Sequence, residues 1–337
     1  MATVDEQLTS EETEQPWRSQ RERWYQQKWL HLIVGLAVAI LAVTFAGQRA
    51  TAGARATLDA RLVAGGAGAD TGLIAIESEQ LSAVRAIAFT SGVATELAAT
   101  NGPALNTLVT PLQANSTVPM VDIMKPNGRV LLSVRSKGAP RPIASYHGLR
   151  LLNQALSNAN GLRGGRYSEL VIFRFGPTLA TISPIMSGNK AVGAVLAMTP
   201  LADALGRLAQ ETGAELTAYD INGDPIATTA NFTPKKVAQD QARAITAGAA
   251  LQTRYVYADH REKLGRLIVD HAAEALLGAS LEDDSNVTGR AVSIYVAIGL
   301  LCTVAILASF WARFTRDRNG FGNGNGNGYG WTNGDAQ

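Results

Sequence analysis

The 337-residue chain has one cysteine, Cys302, and it lies within an apolar run. A lone thiol offers no disulfide framework, so a folded part outside the cytoplasm must rely on its own core. Histidine is also scarce: His31, His147, His260 and His271 show no zinc-ligand spacing. Neither sign of charge predominates. The 30 Lys and Arg against 28 Asp and Glu leave a net +2, so nothing argues for a nucleic-acid partner. A phosphate-binding glycine loop, a nucleophile elbow and an HExxH pair are all missing. These absences leave catalysis without a residue to support it, and no cofactor is expected. Asp220, Asn222 and Asp224 match the first three ligands of a calcium loop, but Pro225 stands where glycine is needed and Asn231 where a closing glutamate is needed. A β-turn accounts for that cluster better, and no metal is expected.

What the chain does have is two long apolar runs. Leu30 to Ala46 carries no Asp, Glu, Lys or Arg, and it follows Arg18, Arg21, Arg23 and Lys28 interleaved with Trp17, Trp24, Tyr25 and Trp29. Basic residues with interfacial aromatics ahead of an apolar run describe a juxtamembrane segment, with a soluble amphipathic helix as the alternative. A cleaved signal peptide also competes, because Ala50, Ala52 and Ala54 follow; the long polar leader favours an uncleaved anchor. The second run, Ala291 to Trp311, is preceded by Asp283 and Asp284 and followed by Arg313, Arg316 and Arg318. The positive-inside rule puts its C-terminal end in the cytoplasm. The expected division is therefore a cytoplasmic disordered leader over 1–28, a span over 29–47, an extracytoplasmic region over 48–290, a second span over 291–311, and a cytoplasmic Gly/Asn-rich tail over 312–337 that forms no core.

The region between the spans opens with helix. Ala50 to Ala64 is alanine-rich, with Gly65, Gly66 and Gly68 expected to break or bend it. Leu73, Ile76, Val84, Ile87, Ala94 and Leu97 then recur near helical spacing up to Asn101-Gly102-Pro103, and a shorter helix follows over 104–114. Strands are predicted over 119–124 and 130–134, joined by the tight turn Pro126-Asn127-Gly128. After a helix over 149–156, the runs 170–175, 179–185 and 191–198 read as adjacent antiparallel strands, the last two separated by Gly188-Asn189. Leu201, Leu205 and Leu208 mark a connecting helix behind Thr199-Pro200. From residue 214 the order recurs on a smaller scale: a hairpin at Asn222-Gly223, a helix around 234–249, and strands at 252–258 and 264–269. Ala275-Leu276-Leu277-Gly278-Ala279 then echoes Val192-Gly193-Ala194-Val195-Leu196. The fold class expected is α+β, with modules over about 73–200 and 201–288.

Two flanking spans, a long leading helix and an Asn-Gly hairpin in each of two modules make the chain resemble the double Cache, PAS-like sensor proteins of bacterial receptors. The stretch from Thr212 to Thr229 looks most like the start of their membrane-proximal module. The resemblance covers about residues 50–288. It implies a two-span membrane protein of the inner or plasma membrane with an extracytoplasmic ectodomain and a ligand pocket in the distal module. The ectodomain would be a long N-terminal helix plus two antiparallel-sheet modules, with homodimerisation through the ectodomain and spans and a separate cytoplasmic or membrane signalling partner. A structural or adhesion-type envelope protein with a degenerate fold of the same kind is the competing reading.

No site residue transfers by motif, so candidates come from the residues themselves. Arg135, Arg166 and Arg174, with Tyr146, Tyr167 and Asp122, fall in the strands and loops of the distal module, and Arg150 and Arg163 lie in the same region. If several converge, they can clamp a small-molecule carboxylate by paired hydrogen bonds; taken singly, each is a solvated loop charge. Arg174 is the leading candidate, because it is read as standing inside an apolar strand, where an unpaired charge is costly.

Overall fold

The structure is a computed structural model that describes residues 17–157, 168–257, 259–270 and 272–320. Two units divide the chain, one formed by residues up to Ala54 with those from Ser285 onward, the other by Arg55–Asp284. The first apolar run becomes part of helix α1 (Trp17–Ala88). In the first unit, Ile33, Leu36, Leu41 and Phe45 of α1 are exposed. The late helix of the same unit, Ser285–Gly320, likewise exposes Ile294, Leu301 and Leu307. Both helices are long and apolar enough to cross a membrane.

Within the second unit α1 runs unbroken from Arg55 to Ala88 and does not kink at Gly65, Gly66 or Gly68. Its buried stripe, Leu58, Leu62, Ala69, Leu73, Ile76, Val84 and Ile87, keeps helical period and supplies the packing that outweighs glycine's weak propensity. A Cβ at Gly65 would lie 3.1 Å from Ala214 Cβ, so this glycine permits close packing rather than a break. The helix ends at Ala88, short of the expected Leu97. The chain turns there and starts α2 (Val93–Ala98) and α3 (Gly102–Ala114). Asn101 caps α3, accepting the Ala104 N–H at 3.3 Å.

The remaining elements follow in order: β1 (Met120–Met124), β2 (Val130–Arg135), α4 (Arg150–Ser157), β3 (Ser168–Phe173), β4 (Gly176–Ser187), β5 (Lys190–Pro200) and α5 (Leu201–Thr212). Then come β6 (Glu215–Tyr219), β7 (Pro225–Thr228), α6 (Gln239–Thr246), β8 (Gln252–Tyr257), β9 (His260–Val269), β10 (Ala272–Glu282) and α7 (Ser285–Gly320). Helix α6 is shorter than the 234–249 expected from the sequence. All pairings are antiparallel, and the sheet orders are β2-β1-β5-β4-β3 and β7-β6-β10-β9-β8. The order is the same in each, so the repetition read from the sequence is a repetition of topology. Asp220 closes the β6–β7 turn by accepting the Asn222 and Asp224 N–H groups at 2.8 Å each, an Asx turn.

Each sheet buries both faces. In the module of β1–β5, called distal only after the sequence reading, Val121, Ile123, Val195 and Ala197 pack on α1, α2 and α3 through Val84, Ile87, Val93 and Leu105. The opposite face, Met120, Met124, Ala180, Ile182, Leu196 and Met198, is covered by α4 through Leu151, Leu152 and Ala155. In the proximal module α1 and α5 cover one face, against Leu216, Ala218 and Leu277; α6 covers the other, with Ala242 and Ile245 against Tyr219, Leu264 and Leu276. Gln80 pins α1 to the distal sheet, donating to Leu179 O at 3.1 Å and Thr199 Oγ1 at 2.8 Å and accepting from Thr181 Oγ1 at 2.7 Å.

Candidate functional site

Strand β1 reads Met-Val-Asp-Ile-Met and is buried along its whole length. A carboxylate in such a strand needs a cation and donors, because a lone buried charge is very costly. Asp122 is fully buried and has both. It lies across from Ser133 in the β1–β2 pairing, and the Ser133 hydroxyl donates to its Oδ1 at 2.5 Å. Two residues along β2, Arg135 closes a fork on the same carboxylate, Nη1 to Oδ1 and Nη2 to Oδ2, both at 2.7 Å. The Tyr146 hydroxyl donates to Oδ2 at 2.5 Å.

Tyr146 comes from the segment after β2, and local backbone chemistry sets its position. Its N–H donates to Gly128 O at 2.8 Å. Gly128 has φ of +80°, and a Cβ there would stand 2.7 Å from His147 N and 2.8 Å from Tyr146 C, so only glycine fits the turn that seats the tyrosine. Burial pushes the Tyr146 hydroxyl above its usual range, and the adjacent Asp122 carboxylate pushes the same way, so the phenol stays a neutral donor. The Tyr146 ring meets Phe173 edge-on with centroids 5.7 Å apart, and Phe173 stacks on Phe175 at 5.4 Å. With Met120, Met124 and Met198 these rings form an apolar surround on the α4 face of the distal sheet.

One donor in this network has no acceptor. Arg135 Nε is buried and meets no hydrogen-bond partner among the described residues. Leaving such a donor unsatisfied costs about 1–3 kcal/mol. The arrangement therefore favours whatever brings an oxygen acceptor to that edge of the guanidinium.

The structure thus brings together three of the residues expected from the sequence, Asp122, Arg135 and Tyr146. Arg166 and Tyr167 lie outside the described residues. Arg174 does not stand inside a strand: it occupies the turn between β3 and β4 and is exposed. The apolar run Leu170 to Phe175 concealed that turn, because Phe173 and Phe175 turn back to stack on each other. Arg150 is exposed and donates to Glu169 Oε1 at 2.6 Å. Ser133 was missed, although its period-2 register with Arg135 on one strand face was available from the sequence.

A second carboxylate–arginine–tyrosine set occupies the α6 face of the proximal module, and the sequence reading missed it entirely. Glu262 on β9 is fully buried, accepts the Tyr219 hydroxyl at 2.7 Å and pairs with Arg254 Nε at 2.9 Å. Arg254 spends its remaining donors on Lys235 O and Lys236 O, and its guanidinium lies 5.2 Å from the Tyr219 ring centroid. Burial pushes the Glu262 carboxyl upward, against Arg254 and Tyr219. A Cβ on Gly278 would overlap Glu262 Oε1, so Glu262 fills the space on that face. A cleft of about 220 Å³ between α1, α5 and residues 117–119 is a third polar feature. Its cation is already spoken for, with Arg207 forked onto Glu79 at 2.9 and 3.0 Å.

A long helix here bears two five-stranded antiparallel sheets of identical strand order. The chain is similar in structure to the domain of a sensory box/GGDEF family protein from Vibrio parahaemolyticus, at TM-score 0.48 and 12% identity over 69% of this chain and 98% of that one. It is also similar to the sensor domain of the histidine kinase DctB from V. cholerae, at TM-score 0.44 and 10% identity over 69% and 97%. A third is the ligand-binding domain of the Campylobacter jejuni chemoreceptor Tlp3 in complex with L-valine, at TM-score 0.45 and 11% identity over 72% and 97%. No protein-family model matches the sequence. No curated protein sequence matches it.

Proposed function

We propose that the chain is a membrane-anchored extracytoplasmic sensor whose distal module binds a small molecule through an oxygen acceptor, a carboxylate or carbonyl. The observation that carries this reading is the unmet Arg135 Nε donor beside the Asp122–Arg135–Tyr146 network. An acceptor from outside completes the guanidinium, and the surrounding Met and Phe side chains take the apolar remainder of the ligand. The exposed Arg174, one residue from Phe173, belongs at the mouth of this site. α1 and α7 are the anchors, residues 48–290 lie outside the cytoplasm, and the signal leaves through these helices to a cytoplasmic or membrane partner. A homodimer formed through the ectodomain and spans belongs to the same reading.

Binding to the native state stabilises it by about 2.7 kcal/mol at a ligand concentration of 100 Kd. In a domain this large that raises Tm by roughly 5–10 °C. A thermal-shift screen of the full chain in mild detergent against mono- and dicarboxylates, amino acids and the matching neutral amides is expected to find such a shift. Arg174→Ala should reduce it without altering the ligand-free Tm, since the side chain is exposed. If no compound shifts Tm, the competing structural or adhesion-type envelope role gains ground. One observation favours that role: the chain's own carboxylates, Asp122 and Glu262, already pair with Arg135 and Arg254.

The anchoring part has its own test. Cytoplasmic placement of both ends predicts that a reporter active only in the cytoplasm works when fused after Gln337, and that one active only outside works when inserted at an exposed turn such as Gly188-Asn189. The reverse pattern at either position rejects the two-span arrangement.

A further inference from the structure

Strand β3 is the free edge of the distal sheet, so its outward N–H groups have no strand partner. One of them, the Leu170 N–H, donates to a carboxylate of the other module, Glu274 Oε2 on β10, at 2.5 Å. The β9–β10 turn that carries this strand is itself held by the shared helix: the Asp270 N–H donates to Glu77 Oε1 of α1 at 3.1 Å. Asp270 has φ of +46°, an unfavourable value for a non-glycine residue that this bond helps to hold. Two carboxylate-to-backbone bonds therefore join the proximal hairpin to the distal edge and to α1.

The joint is acidic. Glu77 faces Glu274 from α1, Glu169 from β3 and Arg150 from α4. Arg150 is exposed and engages Glu169 Oε1, while Glu169 Oε2 is buried with no partner among the described residues. Arg266, another cation of the hairpin, acts on Asp70 of α1.

We propose that this joint is a proton-operated latch between the two modules, closed when Glu274 is protonated and loosened when it ionises. The neutral acid removes the repulsion from Glu77 and Glu169 and still accepts the Leu170 N–H. It also brings a hydroxyl donor to a joint where Glu169 Oε2 lacks one. Ionised Glu274 keeps the backbone bond but sits half-buried among carboxylates. Burial, with Glu169 and Glu77 adding to it, pushes the Glu274 carboxyl up to about 7, against the pull of the Leu170 N–H and Arg150. A carboxyl raised in the fold contributes its full stability below the ordinary carboxylate range, and that contribution is lost as pH rises through about 7. The latch therefore tightens on acidification and opens on the alkaline side of neutrality. Because Glu77 belongs to α1, the helix that both modules share takes part in the change.

Hydrogen exchange of the full chain in detergent micelles tests this without reference to any ligand. Rates for a peptide covering residues 168–173, corrected for intrinsic exchange, are compared between pH 6 and pH 8. Protection in the wild type is expected to fall on the order of tenfold, a figure discounted for the partial exposure of Glu274. In Glu274→Gln, a neutral isostere, protection should stay at the low-pH level throughout. An equal fall in Glu274→Gln, or no fall in the wild type, overturns the proposal. Should Glu274→Gln not fold, Glu169→Gln serves instead: it removes a neighbouring negative charge that holds the Glu274 carboxyl up, so the transition must move to lower pH, and a transition that stays in place or rises overturns the latch. His271 follows Asp270 in the sequence, and histidine is the residue type whose ordinary value lies nearest neutrality. If His271→Asn abolishes the transition and Glu274→Gln does not, the proton acts elsewhere and the latch is rejected.

Discussion

Asp122→Ala is expected to destabilise the protein by about 3–5 kcal/mol, the cost typical of removing one partner from a buried ion pair. Arg135 is nearly buried, and among the described residues its fork meets no other carboxylate; it also donates to Val121 O and Val134 O at 3.2 Å. The Tyr146 and Ser133 hydroxyls lose their acceptor in the same step. Urea unfolding followed by circular dichroism measures the loss. Asp122→Asn keeps the shape and part of the hydrogen bonding, so its cost should be smaller. Removing both charges together, Asp122→Leu with Arg135→Met, should recover most of the stability, because an apolar pair of similar volume often equals a buried ion pair. That recovery separates the two roles of the network: the double variant keeps the fold and abolishes any ligand-dependent thermal shift. A loss below about 1 kcal/mol for Asp122→Ala would mean that Arg135 escapes to solvent, and the network would not then organise this face.

Gly193→Ala is the second large effect, at about 3 kcal/mol, the upper end of the usual cost of overpacking a core. Strand β5 lies in the middle of the distal sheet, between β1 and β4. A Cβ at Gly193 would overlap the Met124 carbonyl oxygen and stand 2.5 Å from Leu97 Cδ2. Leucine can rotate away; a strand carbonyl bonded in a ladder cannot. The expected result is a Tm lower by roughly 6–12 °C. Adding Leu97→Ala should leave the defect largely in place, because the backbone obstacle remains. Full rescue by Leu97→Ala would show that the side chain alone excluded the methyl group.

These two positions differ in how they could be found. Asp122 was visible as the single charge in Met-Val-Asp-Ile-Met, and strand register then makes Ser133 and Arg135 its neighbours on one face. The sequence puts Gly188 in a turn and Gly193 inside a strand, but only the approach of Met124 across the sheet shows that position 193 has no room for a Cβ. Arg174 illustrates the opposite failure. Its apolar neighbours looked like strand because composition records burial preference and not chain direction, and the tight turn left the arginine in water.

By itself the sequence determined the local elements and their repetition. Asn-Gly turns, β-branched runs and the leucine stripe of α5 act over a few residues, so their chemistry is written where it operates. It also determined two helices apolar enough to cross a membrane. The tertiary structure decided the rest. Leu170 meets Glu274 across 104 residues of chain, and Glu77 meets Asp270 across 193. It placed Glu262 between Tyr219 and Arg254, and it left Arg135 Nε without an acceptor. The reason is physical: a buried charge's energy depends on which groups replace its lost water, and those groups are chosen by sheet order and packing, not by neighbours in the chain.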